Sequence, residues 1–288
     1  MNSASLLTTT AVSVLLSLSS CSAELASQED SQASLSVPTP SPSPASSVNW
    51  AGSLTATDWL DQWGAQDDKS WGLDSNIVVM DDPDRRFEKI MRVAYPAGSA
   101  SPSVSRESGV AIGGAQFYAD LPIPDQDQLT LSYFVRFSED FDFVKGGKLP
   151  GLYGGTGASG GNVPDGTDGF STRIMWRREG DGEMYAYLPT SEGYGDSIGR
   201  GSWRFQPGVW HHLKQTISLN DPQAANGRIQ VWVDGKPVID QSGLVFRSTT
   251  DLKIDGLFFS TFFGGGDPSW ATPQDVYADF AEFTVTAD

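Results

Sequence analysis

The chain has 288 residues, 11% of them aromatic, with nine tryptophans and 31 glycines, a composition that suits strands and turns around a sizeable core. Its 36 acids outnumber 19 lysines and arginines for a net charge of −17, which excludes nucleic acid as a partner because phosphate binding needs a basic face. The same field repels any polyanion at long range, so an anionic ligand would require a local cationic cluster.

Residues 1–21 carry no charge, and the apolar stretch from Leu6 to Leu18 ends in Leu18-Ser-Ser-Cys21. This stretch is too short to span a bilayer and reads as a signal peptide whose last four residues match a lipobox, with Cys21 as the lipidated residue. Met1–Thr10 lacks the usual Lys or Arg, so plain secretion with cleavage near Ala23 is the alternative. Cys21 is also the only cysteine, which excludes an intramolecular disulfide. Residues 22–48 are rich in Ser and Pro, cannot bury a core, and are expected to form a semi-extended tether. A secreted or cell-envelope protein, held at the membrane by an N-terminal lipid, is the expectation. Glu24, Glu29 and Asp30 are the only charges before Val48, so 33 of the 36 acids and all 19 bases fall in the expected folded domain, residues 49–288, for a net of −14.

Trp50–Leu73 carries Trp59, Trp63 and Trp71 and reads as a leading segment packed on the core. Strands are predicted at Asn76–Met80, Lys89–Pro96 and Gly114–Asp120, with a turn at Asp81–Asp84 and a loop over Ser99–Gly109. Arg92 and Gln116 are candidate substrate-binding side chains, with exposed edge polar residues as the alternative. Leu129–Phe137 alternates strictly and predicts a strand with one buried face. Phe141-Asp-Phe-Val leads into Lys145-Gly-Gly-Lys-Leu-Pro-Gly-Leu-Tyr-Gly-Gly155. Eight glycines lie from Gly151 to Gly169, without the Gly-Lys-Ser/Thr ending and helix of a phosphate-binding loop; the segment reads as a rim over a groove.

Phe170–Arg177 and Met184–Leu188 predict a hairpin. Its even face, Thr172, Ile174, Trp176, Met184, Ala186 and Leu188, builds core. Its odd face presents Ser171, Arg173, Arg177, Tyr185 and Tyr187, with Met175 as the exception. A Tyr-x-Tyr pair is often no more than two half-buried strand tyrosines. Here it shares a face with Ser and Arg, while a glycine-rich segment delivers Lys148. Lys145, Lys148, Arg173, Arg177, Arg178, Arg200 and Arg204 form the cationic cluster, of which at most half is expected to face a cleft.

Gly193–Gly201, with Tyr194 and Arg200, is a second loop. Gly208–Leu219 is a strand, and Arg228–Ile239 a hairpin with an Asp-Gly turn. The histidines His211 and His212 are adjacent, so they point opposite ways, and both read as structural. Leu257–Phe263 reads as a central strand buried on both faces, Gly264–Trp270 as a loop whose Trp270 is placed to stack on sugar, and Asp275–Phe283 as the closing strand. Calcium is the one ion considered, at Asp267, Asp275 and Asp279, but scattered acids are expected by chance in so acidic a domain, and no cofactor is expected. No helix longer than two turns is predicted beyond the signal peptide. The fold class is therefore all-β, an antiparallel two-sheet β-jelly roll sandwich, and a monomer is expected.

The run Gly146–Gly155, the Ser171-Thr-Arg173 triplet and Tyr185-Ala-Tyr187 resemble the signature of the alginate-lyase-like polysaccharide lyases of family 14, relatives of the glucuronan lyases. The resemblance implies that Lys148, Arg173, Tyr185 and Tyr187 are catalytic, with Ser171 beside them, and that an acidic polysaccharide such as alginate or glucuronan is cut by β-elimination. Arg177 and Trp270 are further substrate-binding candidates. Elimination needs a cation at the uronate carboxylate, a base near C5 and an acid near the leaving oxygen on C4. Arg173 suits the first task; Lys148 and one tyrosine divide the others, with proximity to Arg173 expected to favour the phenolate and the neutral amine. A retaining glycosidase would need paired carboxylates about 5 Å apart, and no Glu-x-Asp-x-x-Glu run is present. A non-catalytic carbohydrate-binding surface lipoprotein is the alternative.

Overall fold

The computed structural model describes residues 48–287. The expected signal peptide, Cys21 and all of the expected tether except Val48 lie outside them. The first half of the chain forms β1 (Val48–Gly52), β2 (Ile77–Asp81), β3 (Lys89–Tyr95), β4 (Ala115–Asp120), β5 (Gln128–Phe137), β6 (Gly146–Gly155) and β7 (Gly169–Arg177). The second half forms β8 (Gly182–Tyr187), β9 (Asp196–Ile198), β10 (His211–Ser218), β11 (Gly227–Val233), β12 (Lys236–Leu244), β13 (Gly256–Phe263) and β14 (Val276–Thr286). They make two antiparallel sheets packed as a β-jelly roll. The larger runs β12-β11-β10-β5-β14-β3-β2, with β1 also on β14, and the smaller runs β4-β13-β6-β7-β8-β9.

Alternation places the larger sheet. Every odd residue of β5 from Leu129 to Phe137 is buried and every even one is partly exposed, so the strand turns one face to the core as its sequence pattern predicts. In the smaller sheet, Leu257, Phe259 and Phe263 of β13 join Ile174, Trp176, Met184 and Ala186 in the core between the sheets. Phe137, Phe141, Trp176 and Phe263 pack there, with ring centroids 4.7 to 5.5 Å apart for the pairs Phe137–Phe141, Phe141–Phe263 and Phe137–Trp176. The apolar even face of the β7–β8 hairpin is thus buried as expected.

Two segments differ from their sequence reading. Ser99–Gly109 is not simply a loop, because Pro102 opens a short helix (Pro102–Glu107), where its missing N–H costs nothing. Gly193–Gly201 contains the edge strand β9, whose Asp196 and Ser197 pair with Ala186 and Tyr185.

Candidate active site

The groove is laid on the outer face of the smaller sheet. Ser171 pairs with Tyr187 and Arg173 with Tyr185 across β7 and β8, so odd residues of both strands share a face. Lys148 is even-numbered, yet it pairs with Met175 of that same face. The register shift between Leu149 and Gly151 explains this, since one extra residue at Pro150 reverses the strand's parity. Proline cannot donate to the ladder and suits such a bulge; its carbonyl instead accepts the Tyr133 hydroxyl at 3.0 Å. Gly151 then lies opposite Arg173, where a Cβ would come within 1.8 Å of the Thr172 carbonyl oxygen.

Lys148, Arg173, Met175, Tyr185 and Tyr187 line a groove of about 640 Å³ with Gln116, Ser159, Arg177, Tyr194 and Trp270. Arg173 is only 2% exposed and forms no ion pair with any described residue. Its Nη1 donates to Ser260 Oγ at 3.3 Å, its Nε has no partner, and its guanidinium carbon lies 4.5 Å from the Phe258 ring centroid. Arg177 differs. It grips the buried Glu183 carboxylate through Nε at 2.7 Å and Nη2 at 2.5 Å, and Arg200 takes the other oxygen at 2.6 Å. The buried carboxylate of Glu183 on this face is therefore already engaged.

The Lys148 amine donates to Met175 Sδ at 2.8 Å and sits 3.8 Å from the Tyr185 ring centroid. Burial, reinforced by Arg173 and Arg177, holds its pKa well below the ordinary lysine range, and Glu183 only weakly opposes this. Burial also pushes the Tyr185 phenol upward, helped by Tyr187 beside it, and outweighs the opposing effect of Arg173. The downward shift of the amine runs in the expected direction, whereas that of Tyr185 runs against the expected phenolate. Tyr187 is 2% exposed, and its oxygen accepts the Gly161 N–H at 3.0 Å, fastening the glycine-rich rim to the site.

The structure brings together Lys148, Arg173, Arg177, Tyr185, Tyr187, Gln116 and Trp270 on one groove. Of the seven-residue cationic cluster, Lys148, Arg173 and Arg177 line it, in keeping with the expected limit of half. Two candidates are corrected. Arg92 belongs to β3 of the other sheet, where it pairs with Asp279 at 2.7 and 3.0 Å and stacks on Tyr277. Ser171 is fully buried, and its hydroxyl donates to the Ala158 carbonyl at 2.6 Å, so it anchors the rim rather than facing the groove. The calcium triad does not assemble either. Asp279 is engaged by Arg92 and Arg136, Asp275 accepts from Ala97 N, and Asp267 caps the turn at Ser269. His211 is structural, bonded to Asp234 Oδ2 and to Gln206 N.

Sequence reasoning missed Trp71, Met175, Tyr194 and Ser260 as groove or site residues. Trp71 is brought in by a backbone bridge to Gln116, a non-local pairing without local signature. Tyr194 is 68% exposed on a glycine-flanked loop, and a large exposed aromatic beside glycines was the signal available for it.

The family model for polysaccharide lyase 14 matches residues 83–283. The marine PL-14 alginate lyase from Aplysia kurodai is 33% identical, with a TM-score of 0.72 over 84% of this chain and 100% of that one. An endo-β-1,4-glucuronan lyase from the fungus Trichoderma reesei shares the fold at 12% identity and a TM-score of 0.52, over 84% of this chain and 96% of its own. A protein of Paramecium bursaria Chlorella virus 1 named exolysin is 26% identical over 187 residues, which are 53% of this chain and 28% of that protein. The match thus spans little more than a quarter of that relative's length.

Proposed function

The chain belongs to polysaccharide lyase family 14 and is a polysaccharide lyase, and from that premise we infer that it cuts a uronic-acid polymer, alginate ahead of glucuronan, by β-elimination in this groove. The observation that carries the reading is Arg173, a guanidinium 2% exposed with an unpartnered Nε and no ion pair among the described residues. An uncompensated buried charge costs several kcal/mol, and its planar fork complements a carboxylate. A uronate in the groove supplies the missing anion.

The proton on C5 is barely acidic until the adjacent carboxylate is neutralised, which is the work of Arg173. The Lys148 amine, whose pKa burial and the neighbouring Arg173 and Arg177 push down, takes that proton. The C5–H electron pair becomes the C4–C5 double bond, and the C4–O bond breaks toward the leaving oxygen. That oxygen takes a proton from the tyrosine pair. Tyr185 is kept protonated by burial, and Tyr187, whose oxygen accepts the Gly161 N–H, is the second hydroxyl donor of the pair. Proton return from the Lys148 ammonium through water resets the site.

Alginate is placed first because the relative at 33% identity is an alginate lyase, whereas likeness to the glucuronan lyase is one of fold. The test is a substrate panel of polymannuronate, polyguluronate, polyglucuronate and a neutral glucan. An unsaturated, ultraviolet-absorbing end should form fastest on an alginate block and never on the glucan. Equal cleavage of the glucan would overturn the reading.

A further inference from the structure

Lys148 is set in a cup in which, among the described residues, no carboxylate bonds its amine. Its cross-strand neighbours are Met175 on β7 and Phe262 on β13, and Tyr185 on β8 presents its ring face 3.8 Å away. Among charged and titratable groups, Arg173 and Arg177 face it from β7, and Tyr185 and Glu183 from β8. Glu183 is already bound by Arg177, Arg200 and Ser197. Among the described residues, the one acceptor atom bonded to the amine is the Met175 thioether, at 2.8 Å.

Resting on the β-elimination reading, we propose that Met175 is a positioning residue for that reaction: its sulfur, together with the Tyr185 ring, fixes the Lys148 amine so that its lone pair points into the groove. A neutral amine has two N–H bonds and one lone pair. Sulfur takes one N–H and the π face takes the other, which leaves the lone pair toward the remaining open side, where Lys148 lines the groove. The choice of sulfur matters. A carboxylate or amide oxygen at this place would bind an ammonium strongly and hold the proton that a base must be free to take up, whereas a thioether is a weak acceptor. Met175 thus orients the base without pinning it in its charged form.

Two variants separate orientation from packing. Met175→Leu conserves volume and apolarity but removes the acceptor. It should fold with an unchanged Tm, keep KM and lose roughly tenfold in kcat, a modest share of what mispositioning costs, with the acidic limb of the pH–rate profile in place. Met175→Gln installs a strong neutral acceptor and should move that limb up by about one pH unit. A second readout needs no turnover: acylation of the Lys148 amine, followed by peptide mapping across pH in wild type and Met175→Gln, should show the same upward displacement. If wild type makes no unsaturated product, the elimination reading falls while the acylation profiles still test the cup. A Leu variant with wild-type kcat, or a Gln variant whose profiles superimpose on wild type in both assays, overturns the proposal.

Discussion

Replacing Arg173 by methionine should make the protein more stable while abolishing its chemistry. The guanidinium is 2% exposed, without an ion pair among the described residues, and its Nε lacks any partner. Against the several kcal/mol that such burial costs stand one hydrogen bond to Ser260 at 3.3 Å and the Phe258 ring at 4.5 Å. A bond to a charged group contributes about 1.5–3 kcal/mol and a desolvated cation–π contact about 2 kcal/mol. The balance favours a flexible apolar side chain of similar length by on the order of 1–2 kcal/mol, which for a domain of this size raises Tm by roughly 2–8 °C. Thermal melts without substrate at neutral pH provide the assay, alongside lyase rates that should fall at least 10²-fold with the carboxylate left unneutralised. A short uronate oligomer should raise the Tm of wild type but not of the variant. If Arg173→Met melts several degrees below wild type, the guanidinium is structurally satisfied and the argument for a missing anion fails.

Tyr187→Phe removes a hydroxyl but leaves the ring packed; the rate should fall by about 10²–10⁴, with a stability loss of about 1 kcal/mol from the freed Gly161 N–H, both read by initial rates and melts. Asp255 is raised to about 6 by burial, with Asp125 and Asp120 adding to the effect, against the Gly155 N–H bond and Lys69. Its folded pKa lies above the unfolded one, so wild type loses stability as pH climbs from about 4 to 6, and Asp255→Asn should match wild type at pH 4 yet exceed it above pH 6 by roughly 1 kcal/mol, after allowing for solvent at this part-exposed group. Equal melting curves at both pH values would refute it. The proposed lipid anchor predicts that wild type fractionates with membranes and Cys21→Ala does not; identical partitioning excludes the anchor.

The sorting of the β7–β8 hairpin was legible because period two is a local property: the even residues are core, and Arg173, Met175, Arg177, Tyr185 and Tyr187 of the odd face line the groove. Lys148 was legible through its glycine-rich motif and not through parity, since only the bulge at Pro150 puts an even-numbered residue on the odd face. Arg92 and Gln116 looked alike in sequence. Which sheet a strand joins is decided by pairings distant in sequence, β3 with β14 and β4 with β13, and that choice sends Arg92 to Asp279 and Gln116 to the groove. Ser171 shares the parity of Arg173, but the rim folds over it and takes its hydroxyl. Met175 looked like an apolar flaw in a polar face; its place beside Lys148 depends on cross-strand register, which alternation alone does not supply.

The measurement closest to the central claim is cleavage of alginate in heavy-oxygen water, with mass spectrometry of the new ends. Elimination driven by Lys148 and Arg173 predicts unsaturated fragments carrying no solvent oxygen, and no fragments at all above background from Lys148→Ala. Saturated ends bearing the heavy isotope, or undiminished cleavage by Lys148→Ala, would contradict the account.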